Sequence, residues 1–530
     1  MTEFSQRRRW AITAGVMTGM FLAALEATIV GTAMPTVVAA LGGLAHFSWV
    51  FSAYLLTSTV SVPLWGKLSD LYGRRLFYQI GVAVFLLGSV LSGLSQSMVQ
   101  LIAARALQGL GAGALIPLGM TIVGDIFTLR ERARMQGLFS GVWGLSSVIG
   151  PLVGGFITDQ LSWRWVFFIN VPFGIVSAAI IGLALREKKP AERPKIDYLG
   201  AAVLTAAVTL LMLALVEGGS VQLLFRPRNL AIFGAVAALT FWFLRVERRA
   251  AEPIVPLALF KNRVVSLSLI VGFLAGVAMF GAISFVPLFA QGARGATATE
   301  AGSLLTPLML AWVSASVVGG RLLIRLGSRP IVLTGLTSMI VGFAGLTSAS
   351  RSTPGGWLIV FLIAVGAGLG FVMLTLLIAV QHAVPRPQLG IATSLNQFFR
   401  SIGGAMGVAL LGAVLTADLT SNLFQAAAAD DAPLTRAQAR ALGENPSALV
   451  SPEAQRGMTP RALAALQTAL ADSIRTVFAA SGIMCLVAFL FALLLPSGRP
   501  GAEEKHGEDF VMAEMTVIDP EHEPSSSSRG

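Results

Sequence analysis

The chain has 530 residues, with 38 Lys+Arg against 27 Asp+Glu and a formal net charge of +11. Only 12% of its residues are charged and 55% are hydrophobic, whereas a soluble domain carries roughly a quarter charged residues. That balance excludes a soluble globular protein, and it excludes disorder over most of the chain. A single cysteine, Cys485, excludes a disulfide scaffold. A polytopic membrane protein remains, and the basic excess reads as membrane orientation before nucleic-acid binding.

A bilayer crossing needs about 20 apolar residues. Fourteen such stretches follow one another, near 11–33, 48–69, 76–95, 98–124, 135–158, 165–185, 198–217, 229–246, 264–290, 301–324, 330–349, 356–380, 391–415 and 474–495. Each span must satisfy its own backbone polar groups in lipid, so helices are expected. The segmentation implies a cytoplasmic N-terminus at 1–10, a six-helix half at 11–190, two inserted linker helices at 191–250, and a second six-helix half at 251–495. An acidic cytoplasmic tail follows at 496–530.

Basic residues set the orientation. With the N-terminus inside, 23 Lys and Arg from Arg7 to Arg386 fall in cytoplasmic segments, and five (Arg164, Arg226, Arg228, Arg294, Arg351) fall in short outer loops. Both termini are then cytoplasmic, as expected of a multi-pass protein of the cytoplasmic membrane. The first span is too long for the core of a cleaved signal peptide. Residues 416–473 read as a long outer loop containing a short amphipathic helix at 460–471. The tail from Pro496 carries eight Asp and Glu and ends in four serines before Arg529, a disordered composition.

The chain repeats itself. Gly66–Arg75 reads GKLSDLYGRR after the second span, and Gly320–Arg329 reads GRLLIRLGSR after the tenth. Two homologous halves separated by two inserted helices explain the spacing, and repeated halves around a central site are a transporter architecture.

Several residues point to chemistry. Glu26 is the one acid placed well inside an apolar span, and intramembrane carboxylates are costly and often serve as proton relays. Counted from Ala33 at the outer end of its span, Glu26 lies ~10 Å deep; Arg105, counted from Met98, lies at the same ~10 Å. The two can therefore meet, as a proton-binding pair or as a purely structural ion pair. The fifth span holds Gly137, Gly141, Gly144, Gly150, Pro151, Gly154 and Gly155, suited to close helix contact and to a rocking interface between the halves. Arg400 follows Asn396, Gln397, Phe398 and Phe399.

In combination these motifs resemble the major facilitator superfamily, and within it the fourteen-helix drug:proton antiporters. The motifs are LEATIVGTAMP at Leu25–Pro35, with Glu26 where Asp is usual; GKLSDLYGRR; RALQGLGAG at Arg105–Gly113; GPLVGG at Gly150–Gly155; and WRWVFFINVP at Trp163–Pro172. The resemblance covers about 11–415 and the last span. It implies an all-α membrane protein with the major facilitator fold, two pseudo-symmetric six-helix halves plus two inserted helices. It further implies a conformational latch at Gly66, Asp70, Gly73 and Arg74, with Asp125 and Arg132 as partners. The Gly150, Pro151, Gly154, Gly155 motif resembles exporters. The second copy of the latch has Ile324 in place of Asp70.

The implied activity is proton-driven export of lipophilic drugs or related small molecules. Export of a lipid or a defined amphiphile, and a non-transporting sensor or scaffold, are the alternatives. The cavity should be lined by central helices of both halves, with Met20, Thr28, Gln108, Trp143, Met279, Phe280, Phe285, Gln291, Asn396, Gln397, Phe398 and Arg400 as candidates. The expected partners are a lipophilic substrate, protons and the bilayer, with no nucleic acid. The protein is expected to be a monomer, with residues 416–473 a place for an outer adaptor.

No enzyme is expected. The phosphate-binding pattern G-x-x-x-x-G-K-[ST] is absent, and GLGAGA at Gly109–Ala114 lies inside an apolar span rather than after a strand. His46, His382, His506 and His522 form no metal-binding pair, so neither a catalytic nor a metal site is expected. No cofactor is expected either; the proton gradient supplies the drive.

Overall fold

The computed structural model describes residues 5–41, 47–187, 197–217, 227–250, 252–296, 298–428, 435 and 459–496. Among them the regular structure is helical throughout. Fourteen long helices run in chain order: α1 Gln6–Leu41, α2 Phe47–Tyr72, α3 Arg74–Leu94, α4 Met98–Ile126, α5 Leu129–Gln160, α6 Asn170–Ala184, α7 Tyr198–Glu217, α8 Pro227–Glu247, α9 Arg263–Leu288, α10 Ala298–Leu326, α11 Ser328–Thr347, α12 Gly355–His382, α13 Leu389–Ala426 and α14 Pro460–Ala492. Among the described residues, twelve apolar segments, on every one of these helices except α2 and α5, have the length and composition to cross a membrane.

Local chemistry marks the helix starts. Ser97 accepts from Gln100 N to cap α4, and Asn262 accepts from Val264 N and Val265 N to cap α9. Thr128 and Glu131 form a reciprocal capping box on α5. Gly73 (φ 104°) and Gly327 (φ 82°) precede α3 and α11. They occupy corresponding positions of the two GKLSDLYGRR-like motifs, so the repeat extends from sequence to backbone conformation. Only glycine enters that region without strain.

Each half has its own core. In the first, Ile12, Tyr78, Phe85, Leu115 and Ile181 pack together, and a second cluster joins Leu25, Met34, Leu101, Trp163 and Phe167. In the second, residues of α9, α11, α12, α13 and α14 form one continuous core around Val271, Met339, Leu369, Leu419 and Phe478. The halves meet where α2 packs on α13 and α5 on α10. The inserted helices α7 and α8 pack on one another and lie over this seam. Val203 and Met212 of α7 and Phe243 of α8 share a cluster with Val60 of α2 and Leu395 of α13.

Two expected boundaries are corrected. α1 continues through Leu41, past the end placed at Ala33, because Met34 and Val37 remain buried in the core of the first half. The loop expected at 416–473 is shorter at both ends: α13 runs to Ala426, and 460–471 is the opening of α14 rather than a separate helix. Leu419, Leu423, Leu466 and Leu470 share one core, and Asn422 Nδ2 donates to Ser473 Oγ at 3.0 Å, so these turns are held by packing. Most of the remaining loop, and the acidic tail from 497, lie outside the described residues.

Candidate functional site

Glu26 lies where α1 faces α3, α4 and α6, with no exposure to solvent. Its Oε1 is ion-paired to Nη1 of Arg105, itself 2% exposed. Its Oε2 accepts from Asn170 Nδ2 at 2.5 Å. Arg105 Nη1 also donates to Gln108 Oε1 at 2.6 Å, one turn along α4. Gln108 Nε2 (3.2 Å) and Asn170 Nδ2 (2.8 Å) both donate to Ser89 Oγ, which donates to the Phe167 carbonyl at 2.8 Å. The guanidinium carbon of Arg105 stands 4.2 Å from the ring centroid of Tyr54, a cation–π contact. A buried charge is tolerated when it is paired and hydrogen-bonded, and every neighbour here contributes to that. Asn170 Oδ1 is buried with no hydrogen-bond partner among the described residues.

Sequence reasoning singled out Glu26, Arg105 and Gln108 but assigned no role to Ser89 or Asn170. Asn170 stands inside the quoted WRWVFFINVP motif. There the chain forms a short helical turn at Trp165–Phe168 and restarts as α6 at Asn170, which brings its side chain inward. A polar residue in an otherwise apolar run was the available signal.

The helix ends that the charge pattern assigns to the cytoplasm carry a second cluster. Asp70 accepts from the backbone N–H of Gly390 (3.0 Å) and Ile391 (2.7 Å), the first turn of α13 in the other half. A carboxylate at a helix N-terminus satisfies otherwise unpaired donors and the helix dipole. Arg74 is ion-paired to Asp70 and, through Nε at 3.1 Å, to Asp125. Arg132 Nε donates to the Phe127 carbonyl at 3.0 Å. Gly66 is pressed against Ser394 of α13; a β-carbon there would stand 2.3 Å from Ser394 Oγ.

Two acids missed in the sequence complete the cluster. Glu187, after α6, accepts from Arg74 N and Arg75 N, both at 3.0 Å, and so caps α3. Burial holds its carboxyl above the ordinary value, against the lowering effect of those donors. Glu252, after α8, pairs with Lys67 at 2.8 Å. Neither lies near the motif in sequence, so no local pattern marks them.

The helix-5 glycines divide. A β-carbon on Gly150 would stand 2.0 Å from Thr28 Oγ1 of α1, so this glycine serves contact within the first half. Gly144 faces Val313 of α10 across the seam at 3.7 Å, and Gly155 faces open space. Gly154 is buried. The side chains of Pro151 and Trp143 fall outside the described residues.

The cavity candidates divide by burial. Met20 is buried in the first core, Met279 and Phe285 in the second, and Phe398 in the cluster beneath the inserted helices. Gln108 belongs to the Glu26 network, and Asn396 is 7% exposed. Apolar spacing alone does not tell which face of a lipid-embedded helix meets a neighbour. Thr28, Phe280, Gln291, Gln397 and Arg400 remain partly exposed. Arg400 donates to Gln397 one turn back.

Residues 16–408 match the sequence profile of the Major Facilitator Superfamily. The chain is 38% identical to the multidrug transporter protein MdtP of Bacillus subtilis, over 98% of this chain and 99% of that one. It is 39% identical to multidrug resistance protein 3 of the same organism, over 78% and 81%. Among solved structures it resembles the human organic anion transporter MFSD10 with a TM-score of 0.61 at 14% identity, over 91% of this chain and 99% of that one. The proton:xylose symporter XylE gives a TM-score of 0.57 at 13% identity, over 93% and 97%.

Proposed function

Because this chain belongs to the major facilitator superfamily and is a multi-pass membrane transporter rather than an enzyme, we propose that it exports lipophilic small molecules in exchange for protons, with Glu26 as the proton carrier. It works as a monomer in the cytoplasmic membrane with both termini inside. The observation that carries this reading is a fully buried carboxylate held by one arginine and one amide. The names of its multidrug-transporting relatives support the substrate class.

The chemistry of the site suits proton exchange. An ionised Glu26 is stabilised by Arg105 and by the Asn170 amide. A protonated Glu26 becomes a hydrogen-bond donor, and the unpartnered Asn170 Oδ1 offers an acceptor once the amide rotates. Either state can therefore be satisfied at little cost, as a site that loads and releases a proton requires.

Glu26 sits inside the first half, so proton and substrate need not compete for one position. They need only bias one equilibrium between inward-open and outward-open arrangements. A physical connection is available. Thr28, two residues after Glu26, donates to the Ser146 carbonyl of α5 at 3.2 Å, and α5 packs on α10 of the other half. On the cytoplasmic side the Asp70–α13 contact closes the seam.

The test uses purified protein in proteoliposomes enclosing a pH-sensitive dye, with a panel of lipophilic cations, neutral drugs and amphiphiles. Substrate-triggered proton flux, lost in Glu26→Gln while the variant still folds, is the expected result. Normal proton-driven export by Glu26→Gln would overturn the assignment.

A further inference from the structure

The inserted helices hold a second pair of carboxylates that export does not use. Asp197 caps α7, its Oδ1 accepting from Gly200 N at 2.8 Å. Glu247 is the last residue of α8, 3% exposed, and its Oε1 accepts from Val255 N at 3.3 Å. The remaining oxygens, Asp197 Oδ2 and Glu247 Oε2, are both buried with no hydrogen-bond partner among the described residues. The two side chains converge over Gly200: a β-carbon there would stand 2.2 Å from Asp197 Oδ2 and 3.2 Å from Glu247 Oε1. The missing side chain at Gly200 is what lets the carboxyls approach.

We propose that Asp197 and Glu247 share a single proton, making the inserted helix pair a second proton-binding site, distinct from Glu26. Two close carboxylates in a buried site do not both ionise cheaply, and one shared proton turns repulsion into a hydrogen bond. The helix ends decide where the proton sits. Asp197 stands at the N-terminus of α7, where the dipole favours negative charge, and Glu247 at the C-terminus of α8, where it disfavours it. The proton therefore resides on Glu247.

The other charged groups around the pair do not replace that proton. The charge of Lys67 of α2 reaches Glu247, but its Nζ pairs with Glu252 at 2.8 Å rather than with Asp197 or Glu247, and Arg248 and Arg249, which follow Glu247, are exposed. The consequence is structural. α7 and α8 lie over the α2–α13 seam, so losing the proton loosens the inserted pair from the cytoplasmic latch. The proposal is independent of the role assigned to Glu26.

Infrared difference spectroscopy of the intact protein at neutral pH tests it. A protonated-carboxyl band that disappears in Glu247→Gln, and remains in Glu26→Gln, is expected. The melting temperature should fall as pH rises from about 4.5 to about 7, because over that range the native pair keeps a proton that unfolded carboxyls, titrating at about 4, have already released. Glu247→Gln and Asp197→Asn should each flatten that fall. A wild type without a band sensitive to Glu247→Gln, or both variants keeping the full pH dependence, would overturn the proposal. So would a melting temperature raised by potassium at constant ionic strength in the wild type but not in Glu247→Gln, which would mark a metal-cation site.

Discussion

Asp70, near the C-terminal end of α2, accepts a hydrogen bond from the backbone N–H of Ile391 at 2.7 Å, although the two residues belong to opposite halves of the molecule. With the Gly390 N–H on the other oxygen, one carboxylate binds the first turn of α13. Hydrogen bonds to a charged group are worth about 1.5–3 kcal/mol each. Asp70→Asn keeps the size but loses the charge and one acceptor. It should shift the balance toward the cytoplasm-open arrangement by about tenfold or more. Faster thiol labelling of a cysteine introduced on the cytoplasmic side of α13, with slower export, is the expected readout. Unchanged labelling would remove the latch.

The Glu26–Arg105 pair should behave as a unit. Arg105→Met leaves a buried carboxylate without its cation, a loss of about 3–5 kcal/mol. Glu26→Gln with Arg105→Met removes both charges and should recover most of that stability. Thermal unfolding in detergent should therefore rank the double variant above Arg105→Met, while neither moves protons. Equal or additive destabilisation would show that the two charges are not coupled.

Within one glycine motif, two substitutions should part company. Gly150→Ala drives a methyl group into Thr28 and should lower both melting temperature and export, at a cost of about 1–3 kcal/mol. Gly155→Ala meets nothing within 4 Å and gains helix propensity, so its stability should stay within about 1 kcal/mol of the parent or rise. Similar losses at both positions would contradict the packing described.

The paired turns offer a parallel comparison. Gly73→Ala and Gly327→Ala each force a side chain into extended backbone of positive φ, a region essentially reserved to glycine, costing about 1–3 kcal/mol. At Gly73 the new methyl would also stand 2.7 Å from Glu187 Oε2, loosening the cap on α3. Gly73→Ala should therefore lower the melting temperature by more than the backbone cost alone. An unchanged melting temperature in Gly73→Ala would contradict the turn and the cap described.

The sequence by itself determined the helices, because lipid leaves a long apolar run one way to satisfy its backbone. It determined the halves, because GKLSDLYGRR and GRLLIRLGSR need the same glycine turn. It also singled out Glu26 and Arg105, because charge inside an apolar span is costly enough to stand out. The tertiary structure alone decided the rest: Asn170 and Ser89 on the Glu26 network, Glu187 and Glu252 on the latch, Met20 and Phe285 in cores. It also showed the inserted helices holding two carboxyls across Gly200. The physical reason is common to all of them. Local pattern reports what a segment must do with its own backbone, whereas a side chain's partner depends on which helix faces it and at what depth.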